Sequence, residues 1–141
     1  MKRKLALLFI GLSMIAMLAA CGEKKVQDDT WASYDSFEVY ALGQGNTVFR
    51  FEATNNADKT VIWDISTDES TVGAALLAVG LIDGEVSDYG LMVVFVNGLK
   101  ADFNEDGAYW AFYVDGDYAM SGADATDIEQ GRTYAFIYTK T

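Results

Sequence analysis

Residues 47–82 read TVFRFEATNNADKTVIWDISTDESTVGAALLAVGLI, and the fold class turns on how this stretch divides. In Thr47 to Ala53, Phe49, Phe51 and Ala53 alternate with Arg50 and Glu52. A period of two is that of a strand with one face buried. Asn55, Asn56, Ala57 and Asp58 supply turn chemistry. Thr60 to Thr67 then alternates again, with Val61, Trp63 and Ile65 on one side, so the two segments read as a hairpin. From Asp68 to Ile82 the period changes. Val72, Leu76, Leu77 and Val79 form an apolar stripe at helical spacing. Asp68 or Ser70 serves as cap, Glu69 sits where the helix dipole favours an acid, and Gly80 is a natural stop.

Working outward, Leu91 to Val96 (LMVVFV) is apolar at every position and is followed by Asn97-Gly98, a strong hairpin signal. Tyr109 to Val114 (YWAFYV) is also apolar throughout, and Asp115-Gly116 turns the chain again. Thr133 to Thr139 (TYAFIYT) reads as the last strand. Upstream, Phe37 to Leu42 suits a short edge strand that Gly43 and Gly45 interrupt. The order predicts an α+β domain: a mostly antiparallel sheet of about five strands with one packed helix. Strands without a polar face must be covered on both sides, by the loop over 115–131 or by a partner.

The first residues read differently. Lys2, Arg3 and Lys4 precede an apolar run, Leu5 to Met17, and then Leu18-Ala19-Ala20-Cys21. A basic start, a short apolar run and small residues before a cleavage point mark a secretory signal. The run extended to Ala20 has 16 residues, short of the roughly 20 that a spanning helix needs. Leu-Ala-Ala-Cys resembles the bacterial lipobox, in which the thiol is acylated and becomes the first residue after cleavage. Two acyl chains anchor stably where one does not. The expected organisation is a lipoprotein signal peptide over 1–20, a lipidated Cys21 and tether over 21–46, and one domain over 47–141. The expected location is the extracytoplasmic face of a cell membrane.

Composition narrows the chemistry. The chain carries 10 Lys+Arg, 21 Asp+Glu, no His, no Pro and one Cys, for a net charge of −11. Loss of 1–20 removes three basic residues, leaving 7 against 21, or −14. Without His, the common nucleophile–base triads and His-based zinc sites are excluded. One Cys excludes an internal disulfide. So acidic a chain has little with which to neutralise nucleic-acid phosphates, and nucleic acid is not an expected partner. Asp102-Phe-Asn104-Glu-Asp106-Gly107 opens like a calcium loop. Its twelfth position is Tyr113 rather than a bidentate acid, so the segment reads as a turn and no metal or cofactor is expected. Paired carboxylates fall mostly in turns, and the chain does not read as an enzyme. The denser signal is aromatic: Tyr109, Trp110, Phe112, Tyr113 and Tyr118 lie within ten residues.

Three segments, Thr71-Val-Gly-Ala-Ala-Leu-Leu, Asp88-Tyr-Gly-Leu-Met-Val-Val-Phe-Val-Asn-Gly and Ala108-Tyr-Trp-Ala-Phe-Tyr-Val-Asp-Gly, resemble the transcobalamin-like C-terminal domain family. The resemblance spans roughly Thr47 to Lys140. It implies a β-grasp-like fold and a binding role for cobalamin or a related corrinoid. It places Tyr89, Gly90, Leu91, Trp110, Phe112 and Tyr113 at a ligand face. The expected function is a lipid-anchored binding module that captures a corrinoid, with a membrane transporter as partner. The alternative is a protein-interaction or adhesion module of the cell surface with no small-molecule ligand.

Overall fold

The computed structural model describes residues 30–141. The basic start, the apolar run, Cys21 and the first part of the tether lie outside the described residues. The chain runs β1 (Val39–Gly43), β2 (Thr47–Thr54), β3 (Thr60–Thr67), α1 (Val72–Ala78), β4 (Ile82–Ser87), β5 (Gly90–Val96), β6 (Leu99–Lys100), α2 (Phe103–Asp106), β7 (Ala108–Val114), β8 (Asp117–Tyr118) and β9 (Thr133–Lys140). A single 3-10 turn, Ala123–Ala125, lies between β8 and β9.

Among the described residues nine strands form two sheets, one of six in the order β1-β3-β2-β9-β7-β8 and one of three in the order β4-β5-β6. This corrects the expected single sheet of about five strands with one helix: the domain is mostly β, with short helices and a mixed sheet. The β2–β3 hairpin pairs as its alternation predicts, Phe51 opposite Trp63. The pairings that make the sheet mixed are parallel, β1 with β3 and β2 with β9. They join segments distant in sequence or connected by a crossover, and local periodicity carries no record of them.

The core lies on the inner face of the six-stranded sheet. Phe49, Phe51, Val61, Trp63, Ile65 and Tyr134 are almost fully buried. Phe51 stacks on Trp63 at 5.7 Å, and Tyr134 meets Phe49 edge-on at 5.4 Å. Val72, Ala75 and Leu76 of α1 face this layer, each fully buried. Burial of such side chains contributes roughly 1.5–3 kcal/mol for each large one.

The helix is shorter than its stripe predicts. Thr71 is extended, with φ −117° and ψ 154°, and its side chain accepts from the Ala74 N–H. The cap is therefore Thr71, not Asp68 or Ser70. Thr67 takes the Glu69 N–H on its hydroxyl at 3.0 Å, which keeps Glu69 outside the helix. Downstream, Leu81 and Ile82 leave the helix to begin β4, a strand that the sequence hides. Its register with β5 shifts between Asp83 and Gly84, and a bulge of this kind breaks alternation. A Cβ at Gly84 would lie 1.9 Å from the Met92 carbonyl oxygen, so only glycine permits the pairing.

Within the stretch 21–46 expected as a tether, residues 30–46 pack on the sheet, and the edge strand expected over Phe37 to Leu42 is β1. Trp31 is buried, and its carbonyl accepts from Lys59 Nζ at 2.7 Å. Tyr34 stands edge-on to Trp63 at 5.2 Å. β1 then lies parallel to β3 as the outermost strand.

Candidate functional site

The Asn97-Gly98 turn folds β5 back on β6, with φ 46° and 80° at its two central residues. Such left-handed pairs form the tight hairpin turn that suits strand twist. β5 pairs with β6 at Phe95 and Val96, and the Val94 carbonyl accepts from the Ala101 N–H at 2.9 Å, so Leu91 to Val93 run on without a strand on that side. β7 likewise pairs with β8 only at Tyr113 and Val114. The two unpaired stretches face one another and leave a groove.

The groove has a volume of about 350 Å³ and is lined by Leu91 to Val94 of β5, by Tyr109, Trp110 and Phe112 of β7, and by Phe103, Phe136 and Ala123. A second hollow of about 360 Å³ continues it past Gly122 to Tyr118 and Met120. No side chain lining either hollow is charged. Met92, Phe103, Tyr118 and Met120 are all exposed, as are Val86 and Tyr89 on the adjoining hairpin. A concentration of exposed apolar side chains at one mouth is the usual mark of a binding surface.

Three of the residues that the family resemblance places at a ligand face, Leu91, Trp110 and Phe112, come together in the groove. Their parts differ. Trp110 and Phe112 are 6% and 8% exposed and form wall and floor. Trp110 donates its indole N–H to the carbonyls of Val94 at 3.1 Å and Leu99 at 3.2 Å, so it ties the two sheets together. Tyr89 is fully exposed at the hairpin tip, outside the groove lining. Tyr113 lies on the other face of β7, edge-on to Tyr118 at 5.6 Å. Gly90 has φ 102°, and a Cβ there would lie 2.6 Å from Asp124 Oδ2. The same oxygen accepts from the Leu91 N–H at 3.0 Å. Gly90 is thus fitted to Asp124, whose carboxylate holds the start of β5.

Sequence reasoning did not reach Phe103, Met120 or Ala123. Phe103 sits inside the Asp-Asn-Gly turn first weighed as a calcium loop. There Asp102 accepts from the N–H groups of Asn104 and Glu105 and caps α2. Those bonds, the one from Glu105 first, hold its carboxyl below the usual value. The cap directs Phe103 to the groove. Beside the groove, Tyr109 has its phenol pushed up, by loss of solvent first and by neighbouring Tyr118 next.

The described residues thus form a mostly β domain with an uncharged apolar groove between two sheet edges. Residues 69–140 match the model of a domain family of unknown function, DUF4430, and the chain belongs to that family. Its likeness to the transcobalamin family is seen in solved structures. Haptocorrin, in a crystal structure with Cbi, superposes with a TM-score of 0.57 and 17% identity, over 67% of this chain and 25% of haptocorrin. The chain therefore spans about a quarter of haptocorrin's length. A protein of Ruminococcus gnavus ATCC 29149, described as a "putative metal binding protein", superposes with a TM-score of 0.65 and 21% identity, over 68% of this chain and 99% of that one. Among curated proteins, none matches the chain.

Proposed function

We propose that the chain is a non-enzymatic binding module, held by a lipid on Cys21 at the outer face of a bacterial membrane. Its groove between β5 and β7 takes a corrinoid, cobalamin or a close relative, for transfer to a membrane transporter. The observation that carries this reading is the groove itself: apolar, uncharged, and bordered at Leu91 to Val93 and at the start of β7 by main chain with no strand on that side. The Phe112 carbonyl turns away from β9 to accept from the Ala119 N–H at 2.9 Å. By strand alternation the main-chain groups of Trp110 and Ala108 turn the same way, toward the groove. A flat ligand with apolar faces and a fringe of carboxamides would lie on the side chains and bond these edges. The likeness to haptocorrin, whose crystal structure holds Cbi, supports the choice of ligand. One open groove buries less of a ligand than an enclosed site, and affinity falls accordingly.

Titration of cobinamide and cobalamin against the protein tests the ligand. Saturable quenching of tryptophan fluorescence is expected after correction for ligand absorption. Phe103→Ala should weaken it several-fold with an unchanged circular dichroism spectrum, since Phe103 is exposed and outside the core. Absence of saturable binding at millimolar ligand would end the corrinoid reading. The anchor is tested separately: Cys21→Ser should free the protein from the membrane fraction or leave it unprocessed.

A second reading, a protein-interaction or adhesion module, draws on the exposed Val86 and Tyr89 of the β4–β5 hairpin and on Met120 of the second hollow. It predicts that changes at these positions abolish a protein contact while corrinoids do not bind at all.

A further inference from the structure

Among the described residues away from the groove, the exposed large apolar side chains are Leu77 on α1 and the pair Phe37 and Val39. Phe37 and Val39 stand at the start of β1, at the end of the six-stranded sheet opposite β8. β1 pairs with β3 on one side, in unbroken register from Val39 to Gly43. No strand among the described residues pairs with its other edge. Sheets guard such edges with charged side chains, proline or bulges. Val39–Gly43 reads VYALG and has none of these.

Phe37 adds a second observation. Its φ is 63°, a left-handed conformation that a bulky side chain rarely adopts, and its ring is 70% exposed. Its N–H donates to the Thr60 carbonyl at 3.1 Å, and the Asp35 N–H donates to the Tyr40 hydroxyl at 2.8 Å. The chain is pinned on both sides of an aromatic ring that packs on little. Strain held in place by its surroundings, with no packing to offset it, points to a contact made with something else.

We propose that β1 is a docking edge for an extended segment of another protein, which adds to the sheet as a seventh strand. An apolar side chain of that segment covers Phe37 and Val39, and a basic residue lies beside Asp35 and Glu38. Charge selects this occupant. Asp35 and Glu38 are the charged residues in 35–46, both are exposed, and the chain carries −11. A second copy would bring the same charge to the edge, whereas a cationic strand is drawn to it.

The test uses the full chain in mild detergent and two fluorescent heptapeptides, Lys-Thr-Val-Thr-Val-Thr-Lys and its Glu-ended counterpart. Anisotropy should show saturable binding of the Lys-ended peptide, at least tenfold tighter than the Glu-ended one. Val39→Lys should weaken it at least tenfold. Phe37→Gly should weaken it and also raise the thermal midpoint, because glycine relieves the strain. That pairing separates a docking residue from a structural one even where Val39→Lys fails to fold. Equal binding of both peptides, or none, overturns the proposal. So does a dimer in light scattering that Val39→Lys dissolves, since the occupant would then be a second copy. The cobinamide titration does not involve β1, and its outcome stands apart from this one.

Discussion

The indole N–H of Trp110 lies 3.1 Å from the Val94 carbonyl, and this bond joins a strand of the six-stranded sheet to a strand of the three-stranded one. The ring is 6% exposed and meets Tyr138 edge-on at 5.5 Å. Trp110 is therefore a structural wall of the groove before it is a surface for any ligand. Trp110→Ala should destabilise the domain by about 3–5 kcal/mol through lost volume. Trp110→Phe keeps most of that volume and loses the hydrogen bond, at about 1 kcal/mol, since both carbonyls are half-buried and that of Val94 keeps the Ala101 N–H. Urea unfolding of both variants checks the ranking. Equal stability of Trp110→Ala and wild type would contradict the assignment.

Gly90 and Asp124 make a second coupled pair. Gly90→Ala places a Cβ 2.6 Å from Asp124 Oδ2 at a φ of 102°, and should cost roughly 1–3 kcal/mol. Asp124→Ala leaves the Leu91 N–H without its acceptor and should cost about 1 kcal/mol. The double variant should cost less than the sum, because the clash is gone while the backbone strain stays. Additive costs would mean that the two residues do not meet.

These two contacts mark how far the sequence could be read. The β2–β3 hairpin was legible because Phe49, Phe51, Val61 and Trp63 alternate, and the turns at Asn97-Gly98 and Asp115-Gly116 were legible from their chemistry. β4 was not, since the bulge at Asp83 and Gly84 breaks its alternation. The parallel pairing of Phe51 with Tyr134 was not, since no local pattern records a partner so distant. At the groove, Leu91, Trp110 and Phe112 were placed by the family resemblance, since an apolar strand alone does not tell a groove wall from core. Phe103 was not reached, because its neighbours Asp102, Asn104 and Asp106 read as a polar turn. Trp110 could be placed as an aromatic, but its bond to Val94 depends on how two sheets meet.

The helix cap offers a local check. Thr71 alone supplies the side-chain cap of α1, through the Ala74 N–H at 3.2 Å. Thr71→Ala should cost about 1 kcal/mol, in the range of such caps. Ser70→Ala and Asp68→Ala should leave the helix cap intact. A thermal-unfolding comparison of Thr71→Ala with Ser70→Ala distinguishes this cap, since Asp68→Ala also removes the acceptor of the Asn46 N–H at 2.8 Å.

Tyr109 gives the domain an alkaline limit. Its phenol is raised above the ordinary value of 10.0, first by loss of solvent and then by Tyr118. The folded state therefore holds this proton more tightly than the unfolded state does. A group raised on folding contributes its full stability below its unfolded value and loses it as pH rises through the folded one. Tyr138, raised first by desolvation and then by Asp106, acts in the same direction. The wild-type unfolding midpoint should thus fall as pH climbs from about 10 upward. Tyr109→Phe, which has no proton to lose, should fall less steeply over the same interval. Both proteins share every other ionisable group, so the difference between the two curves isolates Tyr109. Curves that run parallel through this range would show that burial of the phenol is not coupled to stability.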